Sequence, residues 1–303
     1  MQILITGSYG QLGTALQDII EKGESEIGPL PESYKYANVT AVDYDELDIT
    51  DTVFTECFVT DAFASLDYTS EGYKGLIINC AAMTNVDACE TDYETAMKVN
   101  AIGARNLAAA AAAEGVKYVH VSTDYVFAGD ASKPYCEWDT PNPATVYGKS
   151  KLLSERYVRE TCPESFVVRT SWLYSYVGNN FVKTMVNLAR EKDSIKVVDD
   201  QVGNPTHAYD LAHHILKLAD TDEYGIYHCT GEGICSWYEF AKEIIRLSGE
   251  TCEVIPCTTE EFPRPAPRPA YSAMENLMLK CTVGNEMRPW QDALASYFKN
   301  SKE

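Results

Sequence analysis

Basic residues are scarce in this chain. Its 303 residues include 25 Lys plus Arg against 45 Asp plus Glu, for a net charge of −20. So acidic a surface argues against binding nucleic acid through phosphate neutralisation and against docking on an anionic membrane. It leaves room for an anionic small molecule, which needs only a few local cations and backbone amides. Long apolar runs are also missing, and none approaches the roughly 18 residues of a membrane span. The N-terminus opens directly into an apolar strand-like segment, without a basic leader or signal-type hydrophobic core. Ten cysteines are present but none form Cys-x-x-Cys, and the His213–His214 pair has no Cys or acid pattern around it to suggest metal ligands. The expectation is a cytoplasmic protein with reduced thiols. An apolar share of 45% is enough for a sizeable core, in one large or two modest domains.

Apolar β-like runs alternate with helical patterns along the whole chain, which predicts an α/β protein built on a doubly wound parallel sheet. The first run, MQILIT, is followed at once by GSYGQLG and the helix-like TALQDII. Strand, glycine turn and helix form the setting of a dinucleotide loop. Gly7 would make the tight turn, Gly10 would let the backbone approach a pyrophosphate, and Gly13 would let the helix lie close to the strand. Residues 23–38 read as a polar surface insertion. The next strand ends at Asp43, 30 residues after Gly13, where an acid takes adenosine ribose hydroxyls. Its carboxylate disfavours a 2′-phosphate, so NADH is at least as well suited as NADPH. Asp48 and Ile49 follow, placed for the adenine amino group and ring. GLIINCAA ends in Ala81 and Ala82, small residues that leave room for a nucleotide beyond the strand. A helix is predicted from residue 87 through the Ala run to Gly115.

The chemistry concentrates between residues 122 and 151. The strand VKYVHV delivers Ser122, Thr123 and Asp124 at its carboxyl end, and a Gly/Pro-containing loop leads to VYGKSKLLSE. Tyr147 and Lys151 are four apart and so share one helix face. A nearby ammonium favours a phenolate, which predicts a lowered Tyr147 and a phenol able to exchange protons with a carbonyl oxygen. The spacing alone is weak, since Tyr238 and Lys242 repeat it in what reads as an ordinary amphipathic helix. Context separates the two.

Together, TGSYGQLG, ELDITD, NCAAMTNVDACE, VNAIGARNLA, STDYVFAG, PNPATVYGKSKLLSE, RTSWLY, NNFVKTM, DDQVGNPT and RPAYSAMEN resemble the extended short-chain dehydrogenase/reductase superfamily and, within it, the dTDP-4-dehydrorhamnose reductases. The likeness spans nearly the whole chain in family order. It implies a Rossmann-type domain at 1–168, with a segment near 205–230 returning to it, and a smaller α+β lobe mainly within 169–303 that binds substrate. It implies NAD(P)H-dependent reduction of the 4-keto group of dTDP-4-dehydro-β-L-rhamnose. Tyr147 would be the proton donor, Lys151 would hold the nicotinamide ribose, and Thr123, standing where most relatives carry Ser, would orient the carbonyl. Asp124 and Trp172 would contact the sugar nucleotide. Gln11, Leu12 and Gly13 would meet the pyrophosphate, with Asp43, Asp48 and Ile49 on the adenosine side. Ala82, Met83, Thr84 and Val121 would lie along the cofactor. Met83 departs from the family's usual Tyr or His, and residues 23–38 and 60–75 look longer than the norm. Some relatives are Mg²⁺-linked dimers, but no local cluster places an ion.

In the Pro-rich segment, Arg268, with Arg264 nearby, is a candidate clamp for a substrate diphosphate. The alternatives are a sibling sugar-nucleotide reductase or epimerase and, in a different class, a non-catalytic NADP-binding regulatory subunit. An intact Thr/Tyr/Lys set counts against the latter.

Overall fold

A computed structural model describes residues 1–66 and 75–301. Five apolar segments become strands β1 (Gln2–Thr6), β2 (Asn38–Val42), β3 (Gly75–Asn79), β4 (Lys117–Thr123) and β5 (Ser165–Thr170). With the strand Gly225–His228 they form one six-stranded sheet, ordered Gly225–His228, β5, β4, β3, β1, β2. Every pairing in it is parallel. The order reverses between β1 and β3, so a crevice opens at the carboxyl ends there. Strands β1, β3 and β5 are buried along their full length, as continuous apolar runs covered on both faces require.

Helices α1 (Gln11–Lys22), α2 (Thr52–Phe63), α3 (Val86–Thr91), α4 (Tyr93–Met97), α5 (Ala104–Glu114), α6 (Val146–Thr161), α7 (Phe181–Glu191), α8 (Ala208–Ala219) and α9 (Trp237–Ser248) supply the cover. Leu12, Leu16 and Ile19 of α1 pack with Leu211, Ile215 and Leu216 of α8 on one face. Val59 of α2, Leu107 of α5 and Val158 of α6 cover the other. The chain thus returns to the six-stranded sheet through α8 and Gly225–His228.

Outside the sheet, α7 and α9 pack around Val182, Phe240 and Ile244. The strand Ser194–Val198 pairs in parallel with Glu253–Cys257 beside them. A capping box at Ser236, reciprocated by Glu239, starts α9. The Pro-rich stretch 263–270 carries no helix, as its prolines require.

Two expectations change. Residues 23–38 are more than a surface insertion: Leu30 and Tyr34 are buried against α1 and α8, and the Tyr34 hydroxyl donates to the Leu216 carbonyl at 2.8 Å. Two apolar anchors are enough to dock a mostly polar segment. The helix read from residue 87 to Gly115 is broken. Asp92 leaves the helical region (φ −124°) and caps α4 by accepting from Thr95. A π-helical stretch, Lys98–Gly103, then leads into α5. Helix α2 ends at Phe63, and half of the expected 60–75 lengthening, residues 67–74, lies outside the described residues.

Candidate active site

A cleft of about 1330 Å³ lies over the carboxyl ends of the sheet and extends between it and the smaller lobe. Its first wall is the glycine loop. Gly7 has φ +69°, and a Cβ there would come within 2.7 Å of the Ala81 nitrogen. A Cβ on Gly13 would stand 2.3 Å from the Gly7 carbonyl oxygen. Side chains at either position would push α1 away from β1 and β3, so the two glycines set how closely that helix start approaches the sheet. The amide-bearing end of α1 faces the cleft through Gly10, Gln11 and Leu12, a ready anion site.

Asp43 also lines the cleft, but both of its oxygens are engaged. Oδ2 accepts from the Tyr9 amide at 3.0 Å and Oδ1 from the Tyr44 amide at 2.8 Å. The carboxylate therefore ties the glycine loop to the end of β2. Asp48 Oδ1 accepts from both the amide and the hydroxyl of Thr50, and the Ile49 side chain fills the space over Gly103.

Strand β4 ends at Thr123. Its hydroxyl donates to Asp124 Oδ1 at 2.9 Å and accepts from the Tyr125 amide at 3.3 Å. Asp124 is buried, and burial raises its carboxyl to about 6, against hydrogen bonds from Ser272 and Thr123. Its Oδ2 makes no hydrogen bond of good geometry, and neither does Thr170 Oγ1, also on the cleft wall. Helix α6 begins at Thr145, whose hydroxyl accepts from the Gly148 amide, and this cap aims Tyr147 and Lys151 into the cleft. Gly148 is required because a Cβ would stand 2.1 Å from the Tyr125 carbonyl oxygen.

The prediction that Lys151 lowers the Tyr147 phenol does not hold in this geometry. Burial pushes Tyr147 up, with the Thr123 hydroxyl opposing. Lys151 Nζ instead lies 3.3 Å from His120 Nε2, on a side chain only 2% exposed. Burial drops Lys151 to about 8, opposed by Glu155 and by Cys80.

Ala81, Ala82, Thr84, Val121, Trp172 and Arg268 complete the expected lining, and Met83 alone of the predicted residues does not reach the cleft. Its backbone amide donates to Asn100 Oδ1 at 2.7 Å, and the Asn100 amide donates to the Met83 carbonyl and to Ser150. Asn100 sits in the π-helical stretch, which carries it into a buried bridge between that loop and α6. Trp172 is held at φ +48° and stacks on Trp237, with ring centroids 3.6 Å apart. For a bulky residue this backbone is strained. Arg268 donates to Asp87 at 2.9 Å and to its own segment's Ala266 carbonyl, while the Arg264 guanidinium lies over the Phe262 ring. Tyr238 and Lys242 form a cation–π contact on α9, off the cleft wall.

Sequence reasoning passed over Asn100, Cys80 and His120. The signal for His120 was an imidazole flanked by Val119 and Val121 in the β-like run VKYVHV. His213 and His214 bond to Ser25 and to the Asp210 carbonyl and Glu286 amide. Among the described residues, no group of three or more His, Cys, Asp or Glu could hold a metal ion, and no helix is long and apolar enough to cross a membrane.

A parallel sheet with a glycine loop after β1, Thr123 at the end of β4 and Tyr147 and Lys151 on α6 define a Rossmann-type reductase fold of the short-chain dehydrogenase/reductase superfamily. The whole chain, residues 1–303, matches the RmlD substrate binding domain, and the protein belongs to that family. It is 39% identical to a dTDP-4-dehydrorhamnose reductase of Aggregatibacter actinomycetemcomitans, over 97% of both chains. Among solved structures, a dTDP-4-dehydrorhamnose reductase of Clostridium acetobutylicum superposes with a TM-score of 0.89 at 47% identity, covering 99% of each chain. The enzyme of that name from Bacillus anthracis, in complex with NADP, gives 0.88 at 40% identity and covers 98% of each.

Proposed function

We propose that this protein reduces the 4-keto group of dTDP-4-dehydro-β-L-rhamnose to the alcohol, giving dTDP-L-rhamnose. The carrying observation is the convergence of Thr123, Tyr147 and Lys151 on one cleft that begins at the glycine loop. Residues 1–168, with the return near 205–230, would hold the nucleotide, and 169–303 would mainly hold the sugar.

The loop fits a dinucleotide. Side chains on Gly7 or Gly13 would collide with backbone, and the open end of α1 suits a pyrophosphate. A reduced nicotinamide, when bound, supplies hydride to the carbonyl carbon. Lys151 would hold the cofactor ribose, and Ala81, Ala82, Thr84 and Val121 would line its path. Thr123 would orient the sugar carbonyl, and the Tyr147 hydroxyl would give its proton to the oxygen as negative charge develops there. Burial keeps the phenol protonated at neutral pH, so the proton is present to be given, while the raised value makes Tyr147 a weaker acid than a lowered one would be.

NADPH and NADH both remain in the proposal. Asp43 accepts one backbone amide on each oxygen, which fixes the carboxylate at the cleft wall with lone pairs left for ribose hydroxyls, while the NADP-bound relative points to NADPH. A cofactor-oxidation assay with dTDP-4-dehydrorhamnose, run with each nucleotide and with a chelator, tests the reading. A panel of other 4-keto sugar nucleotides separates it from a sibling reductase or epimerase. No turnover with any of them, together with nucleotide binding, would favour a regulatory subunit. Sedimentation of the purified protein tests for the homodimer.

A further inference from the structure

Beneath Lys151 lies an imidazole that no step above uses. His120, on β4, is fully buried, and its Nε2 has two neighbours, Ser154 Oγ at 2.8 Å and Lys151 Nζ at 3.3 Å. Its Nδ1 faces Asn79 Nδ2 at 3.4 Å.

Both ends of the ring dictate the same tautomer. At the Nδ1 end, Asn79 Oδ1 accepts from the Ala81 amide at 3.0 Å and from the Thr6 hydroxyl at 2.9 Å. That fixes the amide orientation and turns the Asn79 NH₂ toward His120, so Nδ1 must accept. At the Nε2 end, Ser154 Oγ lies 2.6 Å from the Lys151 carbonyl oxygen. A carbonyl has no hydrogen, so the single hydroxyl hydrogen of Ser154 is spent there, and its oxygen can only accept from His120. Nε2 therefore carries the hydrogen and points it at Ser154. No lone pair is left for the ammonium, and among the described residues no other hydrogen-bond acceptor meets Lys151 Nζ.

We propose that His120 is a positioning residue for Lys151: locked as the Nε2–H tautomer, it denies the ammonium an acceptor inside the fold and directs its N–H groups to the cleft. The N–H beside the ammonium also disfavours the charged form. The other charged or titratable groups facing Lys151 are Glu155 on α6, itself paired with Arg169, and Cys80 at the end of β3. Burial and the Lys151 charge both hold His120 neutral, which keeps the device constant across the working pH range. The catalytic consequence rests on the reductase reading; the tautomer does not.

Two measurements test this. In protein labelled with ¹⁵N-histidine, long-range ¹H–¹⁵N spectra should show His120 as the neutral Nε2–H form from pH 6 to 9. The Nδ1–H form, or titration in that range, overturns the proposal whether or not the protein turns over. In the reductase assay, His120→Leu should lower kcat by about 10-fold. It should also move the alkaline limb of the kcat profile upward by about half a unit or more, because the N–H that disfavours the ammonium is gone. His120→Gln, whose amide can still donate to Ser154, should restore most of kcat and return the limb to its wild-type position. A limb that moves equally in both variants, or in neither, also overturns it.

Discussion

Arg268 and Asp87 form an ion pair of 2.9 Å that joins the Pro-rich segment to the first turn of α3 at the cleft wall. Asp87 also accepts from the Ala266 amide at 3.1 Å, so one carboxylate holds both the side chain and the backbone of that segment. The guanidinium hydrogens that could clamp a diphosphate are thereby shared with a protein acid, and the segment is pinned where it would cover a ligand.

Removing the cation should therefore weaken substrate capture more than chemistry. Arg268→Ala is expected to raise the KM for the sugar nucleotide about 10-fold while kcat changes less than about 3-fold, the signature of lost uniform binding. An unchanged KM removes Arg268 from the site. Steady-state kinetics at saturating cofactor decides.

Tyr147→Phe keeps the ring and its contact with Tyr125 but loses the proton. Turnover should fall by roughly 10²-fold or more, with cofactor affinity, read by fluorescence titration, little changed. Near-wild-type turnover would sink the assignment.

Lys151 carries a stability cost. Its folded value of about 8 lies below the ordinary 10.5, so the unfolded chain holds this proton more tightly. The penalty is complete below about pH 8 and is released as pH rises toward 10.5. Lys151→Met should lose activity yet melt about 2 °C or more higher at pH 7. The gain over wild type should shrink between pH 8 and 10. Equal or lower melting of the variant at pH 7 contradicts a buried, uncompensated ammonium.

Glu155 and Arg169 form a bidentate pair, 2.9 and 2.7 Å, buried beneath the cleft, and Ser122 donates to the same carboxylate. Arg169→Met leaves that carboxylate buried without its cation and should cost about 3–5 kcal/mol in urea unfolding. A loss under about 1 kcal/mol would mean that Ser122 and solvent already satisfy it.

Much of the site could be read directly from residue order. The glycine loop is a local strand–turn–helix, and Tyr147 and Lys151 share a face because a helix turns every 3.6 residues. Thr123 follows from the end of an apolar strand. Periodicity also revealed the alternating fold, and the family's motifs appear in order along the chain.

Tertiary structure decided what those groups do to one another. Sequence spacing placed Lys151 next to Tyr147, but burial lowered the ammonium and raised the phenol that a simple pairing would lower. It also tied Asp43 to the glycine loop, buried Tyr34 within a polar insertion, and broke one long helix to deliver Asn100. The physical reason is common to all of these. Local propensity depends on near neighbours in the chain, whereas desolvation and hydrogen-bond satisfaction depend on groups brought together from 31 residues away for His120 and Lys151, and 182 for Tyr34 and Leu216.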